Sequence, residues 1–351
     1  MLTNPKLVLY LAARVLGLFG LARRLTRRRL CILAYHGFAQ GDEAQFRRKL
    51  FITPATFGRR LALLKRRGYR VLSLGQAVMD QQQRRVADDS VVITIDDGYA
   101  STLSVAAPLL KSHGFPATVY LTSYHMVTQT PVYDLIIAYL VWKSPQPSAQ
   151  LLWPALAVPQ NLDLASQTSR ERAVASLTEV GHRLASEAER MDLARALANA
   201  LALDFDGIVA AQAFRLLTPA EARQLSDWGL EIGLHTHRHR FPPGDLAACR
   251  REIAENHAYL VREIGPVTPH FCYPSGVYDR GQWPVLADAG LASATTCDTG
   301  LVRCGDNRFG LRRFLDGEMV SDVEFEAEIS GFADLLRGLL RVDRRSNGAA
   351  G

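Results

Sequence analysis

Along most of the chain, apolar residues first recur at helical spacing and then gather into short unbroken blocks. Phe57, Leu61 and Leu64 share one helix face, Lys65-Arg66-Arg67 suits a helix C-terminus, and Gly68 can cap it. The block Val71-Leu72-Ser73-Leu74 follows, predicting a strand. Residues 108–113, closed by Gly114, lead to the apolar block 117–121 in the same way. Thr218-Pro219-Ala220-Glu221 has the form of a capping box with Pro at the first helical position, and Gly229 closes that helix ahead of residues 230–234. Helices ending near Ile264-Gly265 and at Gly290 precede strands at 269–273 and 291–295. Repeated helix–Gly–strand units predict parallel strands covered by helices, an α/β fold, and Val91-Val92-Ile93 reads as one more buried strand.

Two stretches break the alternation. Residues from about 125 to 215 begin with an apolar segment at 133–142 and pass through a loop holding Pro145, Pro147, Pro154 and Pro159. They continue as Ala/Arg/Glu-rich helix from about Thr168 to Ala202, and the whole is expected to be a helical insertion. Near the start, residues 7–22 are apolar apart from Arg14 and run into Arg23, Arg24, Arg27, Arg28 and Arg29. Sixteen residues fall short of the roughly 20 a membrane-spanning helix needs. The positive charge follows the apolar run, the reverse of a secretory signal, and no small-residue cleavage site comes after it. Residues 1–29 are therefore expected to form an amphipathic helix lying on a membrane surface, followed by a catalytic domain over 30–351. The arginine side would be cytoplasmic, which places the protein peripherally on the inner membrane or in the cytoplasm rather than the periplasm.

Net charge is +6 over 351 residues, and those five arginines account for most of it. No basic stripe interleaved with aromatics appears elsewhere, so a nucleic-acid partner is not expected. The five cysteines are an odd number without a Cys-x-x-Cys pair, as expected of free thiols, and Cys272 reads as a small packing residue.

The chemistry lies in two strings. Thr94-Ile95-Asp96-Asp97-Gly98 places adjacent carboxylates after an apolar strand, and His235-Thr236-His237-Arg238-His239 places imidazoles at i and i+4. Two histidines and one carboxylate are a known ligand set for a catalytic zinc ion, leaving the second carboxylate as a base. A metal-dependent hydrolase is the expectation.

At these residues the chain resembles the polysaccharide deacetylases, carbohydrate esterase family four, whose catalytic unit is the NodB-homology domain. Thr94 to Gly98 match the family's Thr-Phe-Asp-Asp-Gly motif with Ile95 in place of Phe, and His235, Thr236 and His239 match His-Ser/Thr-x-x-His. The resemblance implies a distorted (β/α) barrel and a divalent metal, Zn²⁺, held by Asp97, His235 and His239. It implies Asp96 as general base and leaves His237 unassigned, in an outer shell or facing solvent. Phe271-Cys272-Tyr273-Pro274-Ser275-Gly276 resembles the third motif, in which the Tyr273 backbone N–H would face the oxyanion. The Arg that usually opens this motif is missing, with Arg312 or Arg313 as its replacement, and the Asp/Trp fourth motif has no counterpart. No histidine follows His270, so the family's C-terminal general acid is absent. Ile32 to Phe38, with Tyr35-His36, instead resembles the circularly permuted poly-N-acetylglucosamine deacetylases, and His36 would be the acid. The implied substrate is an N-acylated amino sugar of a polysaccharide or lipid-linked precursor. Removal of a formyl group, or a silent glycan-binding role on the same scaffold, are the alternatives.

Overall fold

The computed structural model describes residues 5–153, 160–211 and 214–347. Pro154 and Pro159 of the expected loop lie outside the described residues. Eight strands make one parallel sheet: β1 (Cys31–Tyr35), β2 (Arg70–Leu72), β3 (Ser90–Ile95), β4 (Thr118–Leu121), β5 (Glu231–Leu234), β6 (His270–Cys272), β7 (Ser293–Thr295) and β8 (Phe314–Leu315). The path runs β7-β6-β5-β4-β3-β1-β8. β3 pairs with β1 over Val91 to Ile95 on one side. On its other side it pairs first with β2, from Ser90, and then with β4, from Thr94. Leu311, just ahead of β8, forms a parallel bridge with Thr295 of β7 while Phe314 and Leu315 pair with β1. The short segment 311–315 thus joins both sheet edges and closes a distorted (β/α) barrel. Strands β1, β3, β4, β6 and β7 are buried at every residue, as a sheet covered on both faces requires.

The helices follow local signals. Thr53 caps Pro54–Arg66 by accepting the Thr56 N–H, with Pro54 at the first position, and buries Phe57, Leu61 and Leu64. One expected strand is shorter than its apolar block: Ser73 accepts the Gln76 N–H and starts the helix Leu74–Gln82. Ser73 and Leu74 are lost to β2 because a capping hydroxyl competes successfully with one further ladder pair.

Residues 124–218 form a compact unit separate from the remainder. It holds the helices Tyr133–Lys143, Gln167–His182 and Glu187–Ala200 and an antiparallel ribbon of Ser148–Leu151 with Gln160–Asp163. The single helix expected from Thr168 to Ala202 is therefore two. A reciprocal capping box between Ser186 and Glu189 restarts the second one.

The N-terminal segment is also two helices, α1 (Pro5–Val15) and α2 (Leu18–Thr26), bent by 85°. Gly17 turns the chain with φ +73°, which glycine adopts without the Cβ penalty. Tyr10, Ala13 and Phe19 pack with Val323, Ala327 and Ala333 of the helices Asp322–Ile329 and Phe332–Asn347. Of the five arginines expected to reach outward, Arg23 pairs with Asp89, Arg27 and Arg28 with Asp88, and Arg29 with Asp334. Among the described residues, no single helix is long and apolar enough to cross a membrane.

Candidate active site

Both acidic residues of the first string stand at the C-terminal end of β3. The Asp96 N–H donates to the Tyr35 carbonyl at 2.9 Å, extending the ladder by one residue. Consecutive strand residues face opposite ways, so two adjacent carboxylates share a site only if the backbone turns between them. Asp97 does this with φ +68°, and the Gly98 N–H closes the turn on the Asp96 carbonyl at 2.8 Å. Thr236, His239 and Ser275 also hold positive φ at the same end of the barrel. Non-glycine residues in that region cost free energy and persist only where the surroundings over-determine them, commonly at functional sites.

His235 follows β5 directly. Its Nε2 lies 3.2 Å from Asp97 Oδ1, and His239 Nε2 lies 3.4 Å from the same oxygen. The two rings meet edge-on with centroids 4.9 Å apart. His235 Nδ1 contacts the Cys272 carbonyl at 2.8 Å. A carbonyl only accepts, so Nδ1 carries the proton and Nε2 faces the carboxylate either protonated a second time or as a bare lone pair. Bare lone pairs from two imidazoles and one carboxylate converging on one point are what a shared cation requires. One ligand atom from each of Asp97, His235 and His239 lies within 4.8 Å of the others, so the donor set and its support fit a divalent ion. Burial alone would raise the Asp97 carboxyl, but hydrogen bonds from His235 and His239 outweigh it and hold the group well below the ordinary carboxylate range.

Asn256, on the helix Leu246–Glu263, supports this trio. The His235 N–H is shared between the Leu121 carbonyl (3.2 Å) and Asn256 Oδ1 (3.1 Å). Asn256 Nδ2 donates to the Leu121 carbonyl and Ser123 Oγ. Sequence reading missed this residue. The signal was available: Asn256 occupies an apolar-stripe position between Cys249, Ile253 and Leu260, where a polar side chain is buried and needs partners. His237 stays outside the trio, its Nδ1 2.8 Å from Ser123 Oγ.

Asp96 is held differently. Arg313 grips both its oxygens at 2.7 Å, and the guanidinium also donates to Thr94 Oγ1 and the Thr296 carbonyl. Both side chains are almost wholly buried, at 0% and 2% exposure. Burial would raise the Asp96 carboxyl, but the Arg313 charge and hydrogen bonds prevail and hold it below its usual range, hence ionised. Of the two arginines considered from sequence, Arg313 is the one that reaches Asp96, and the barrel-closing segment delivers it. His36, one residue beyond β1, puts Nε2 3.7 Å from Asp96 Oδ2. Cys272 Sγ lies 3.4 Å from the same oxygen, and burial pushes its thiol well up. A second trio, Asp96, His235 and Cys272, also has metal-ligand spacing. It is the poorer one, because Arg313 occupies both Asp96 oxygens and the thiol stays protonated.

One expected role fails. The Tyr273 backbone N–H does not face the site; it donates to the Thr295 carbonyl at 3.2 Å, and its hydroxyl donates to the Phe309 carbonyl at 2.9 Å. Tyr273 still belongs to the sheet ladder, whose pairing claims the N–H that the third motif was expected to expose. Pro274 has no N–H, so the next donor along the chain is Ser275, with φ +56°.

Residues 83–294, more than half of the chain, match the family described as polysaccharide deacetylase. The chain is 31% identical over 94 residues to YxkH, a candidate polysaccharide deacetylase of Bacillus subtilis (strain 168). That match spans 26% of this chain and 32% of the relative. In fold it is similar to the Streptococcus pyogenes deacetylase PplD in complex with acetate, with TM-score 0.56, 17% identity, 86% of this chain and 98% of that one. It is likewise similar to IcaB from Ammonifex degensii, with TM-score 0.54, 17% identity, 86% of this chain and 97% of that one. At such identities the likeness is one of fold, and it agrees with the barrel and with the extent of the sequence match. The chain belongs to the polysaccharide deacetylase family.

Proposed function

We propose that this protein hydrolyses the N-acetyl group of an amino sugar in a polysaccharide or lipid-linked glycan precursor, releasing acetate, with a divalent metal, Zn²⁺, as cofactor. The observation that carries the reading is one compact group: Asp97, His235 and His239 converge, and an ionised Asp96 and His36 stand beside them. A cation held by that trio supplies Lewis-acid polarisation and a lowered water pKa. Asp96, kept ionised by Arg313, accepts the proton of the attacking water at a carboxylate oxygen. His36 delivers a proton from Nε2 to the departing amine. The Cys272 carbonyl fixes the His235 tautomer, so Nε2 stays available as a donor of its lone pair.

The experiment combines elemental analysis with product assays on N-acylated saccharides. The purified protein should hold close to one equivalent of divalent ion, and His235→Ala or Asp97→Ala should lose it. Asp96→Asn should retain the ion and lose turnover. Metal retained in the His235 variant contradicts the ligand assignment, and formate released in place of acetate reassigns the acyl group.

A further inference from the structure

The N-terminal helices expose apolar side chains alongside their cations. On α1 the two cations are themselves half exposed, and each meets an acid of a neighbouring helix, Lys6 pairing with Glu324 and Arg14 with Glu326. Val8, Leu9, Leu11 and Val15 are exposed on the same helix, and Leu16 just beyond its end, the last two 73–86% exposed. On α2, Phe19, Ala22 and Thr26 are buried, whereas Leu18, Leu21 and Leu25 are exposed together with Arg24, and the exposed Arg28 lies two residues past the helix end. The adjoining helix Phe332–Asn347 adds exposed Leu339 and Leu340. A run of apolar side chains facing water on neighbouring helices marks an interaction surface.

Charge selects the occupant. No Asp or Glu precedes Asp42, so α1 and α2 contribute cations only. Acids of other elements meet most of them, but among the described residues Arg24 has no such partner and Arg27 and Arg28 share the single Asp88, which leaves the face with an excess of positive charge. Arg14, Arg23 and Arg67 line a cavity of about 280 Å³ beside the bend at Gly17, with Glu326 as an acid among them. A second copy of the chain would set this cationic face against itself, since a two-fold interface places like patches opposite one another. A bilayer offers apolar depth and phosphate charge together. Each helix is too short to cross one, and the 85° bend lets both lie along its surface.

We propose that α1, α2 and the start of the C-terminal helix form a docking face for a bilayer carrying anionic phospholipid, the leucines entering the headgroup boundary and the arginines meeting lipid phosphates. This goes beyond the hydrolytic reading and does not depend on it.

Deleting residues 1–29 would uncover the side chains packed on Tyr10 and Phe19, so point variants are the proper test. Full-length protein is sedimented with vesicles of phosphatidylcholine alone or mixed with phosphatidylglycerol. The wild type should pellet with the mixed vesicles. Leu21→Ser with Leu25→Ser should weaken binding by roughly tenfold per leucine, and Arg24→Ser with Arg28→Ser by about fivefold per arginine. High salt should reproduce the arginine effect alone. Melting temperature and hydrolysis of a short soluble substrate should not change in either variant. The proposal is overturned if the wild type stays in the supernatant at low salt. It is equally overturned if light scattering shows a dimer that the leucine variant turns into a monomer.

Discussion

Each polar residue in this site is set by what its second atom touches. Arg313 binds both Asp96 oxygens within a buried setting, where removing one partner of an ion pair leaves the other uncompensated. Arg313→Met should therefore cost about 3–5 kcal/mol. It should also raise the Asp96 carboxyl, moving the acidic limb of the pH–rate profile upward. Calorimetry and the profile check this, and an unmoved limb would show that Arg313 does not tune the base. His36→Ala should retain the metal but lower turnover by about 10²–10⁴-fold, as loss of a general acid does. Wild-type turnover in that variant would remove His36 from the reaction. Asp96 and Asp97 both titrate below their ordinary value, near 3.9 in an unfolded chain. Their contribution to stability is complete above that value and is lost as pH falls through the lower folded values. Urea midpoints of the metal-free protein should hold above about pH 4 and decline below it, and a midpoint flat down to pH 2 would contradict the shifts.

At the scale of elements, the strand ends do the positioning and one long helix locks them. Asn256 reaches from Leu246–Glu263 to the ends of both β4 and β5, through the Leu121 carbonyl and the His235 N–H. Asn256→Ala should destabilise the protein by about 1–3 kcal/mol, the cost of buried groups losing a partner. It should also weaken metal binding by roughly 10–100-fold, as loss of an outer-shell support does. Metal titration followed by isothermal calorimetry would reveal both an intact and a weakened site. Elements also ended where local hydrogen bonding, rather than hydrophobicity, decided. Ser73 starts a helix inside an apolar block, Ser186 divides a long helical stretch, and Gly17 bends the first one.

At the scale of the molecule, the site is assembled from the whole barrel rather than from the segment that carries the family's sequence match. Residues 83–294 contain Asp96, Asp97, His235 and His239, but His36 arrives on β1 and Arg313 on the closing segment. A fragment confined to 83–294 keeps β4 but loses β1 and β2, which pair with β3, and the segment 311–315 that joins the sheet edges. It should fail to unfold cooperatively in thermal denaturation monitored by circular dichroism, whereas the full chain should show a clear transition for the barrel. A cooperative, metal-binding fragment would place the closing strands outside the folding unit.

Local pattern was enough for the parallel α/β architecture, because helix spacing, glycine caps and apolar strands are written in consecutive residues. It was enough, too, for Asp96-Asp97 and His235-x-x-x-His239, since each pair is contiguous or four residues apart. Sequence also brought His36 forward, through a resemblance rather than through spacing. What it left open was every relation between distant strands. Arg313 and Arg312 are equivalent in sequence, and only the register of β8 against β1 points one of them at Asp96. Tyr273 reads as an oxyanion donor until pairing with β7 claims its N–H. The arginines within and after α2 read as a free cluster until folding brings Asp88, Asp89 and Asp334 beside them. In each case the deciding partner comes from another part of the chain. Hydrogen bonds and ion pairs act over a few ångströms of space, and distance along the chain does not specify that proximity.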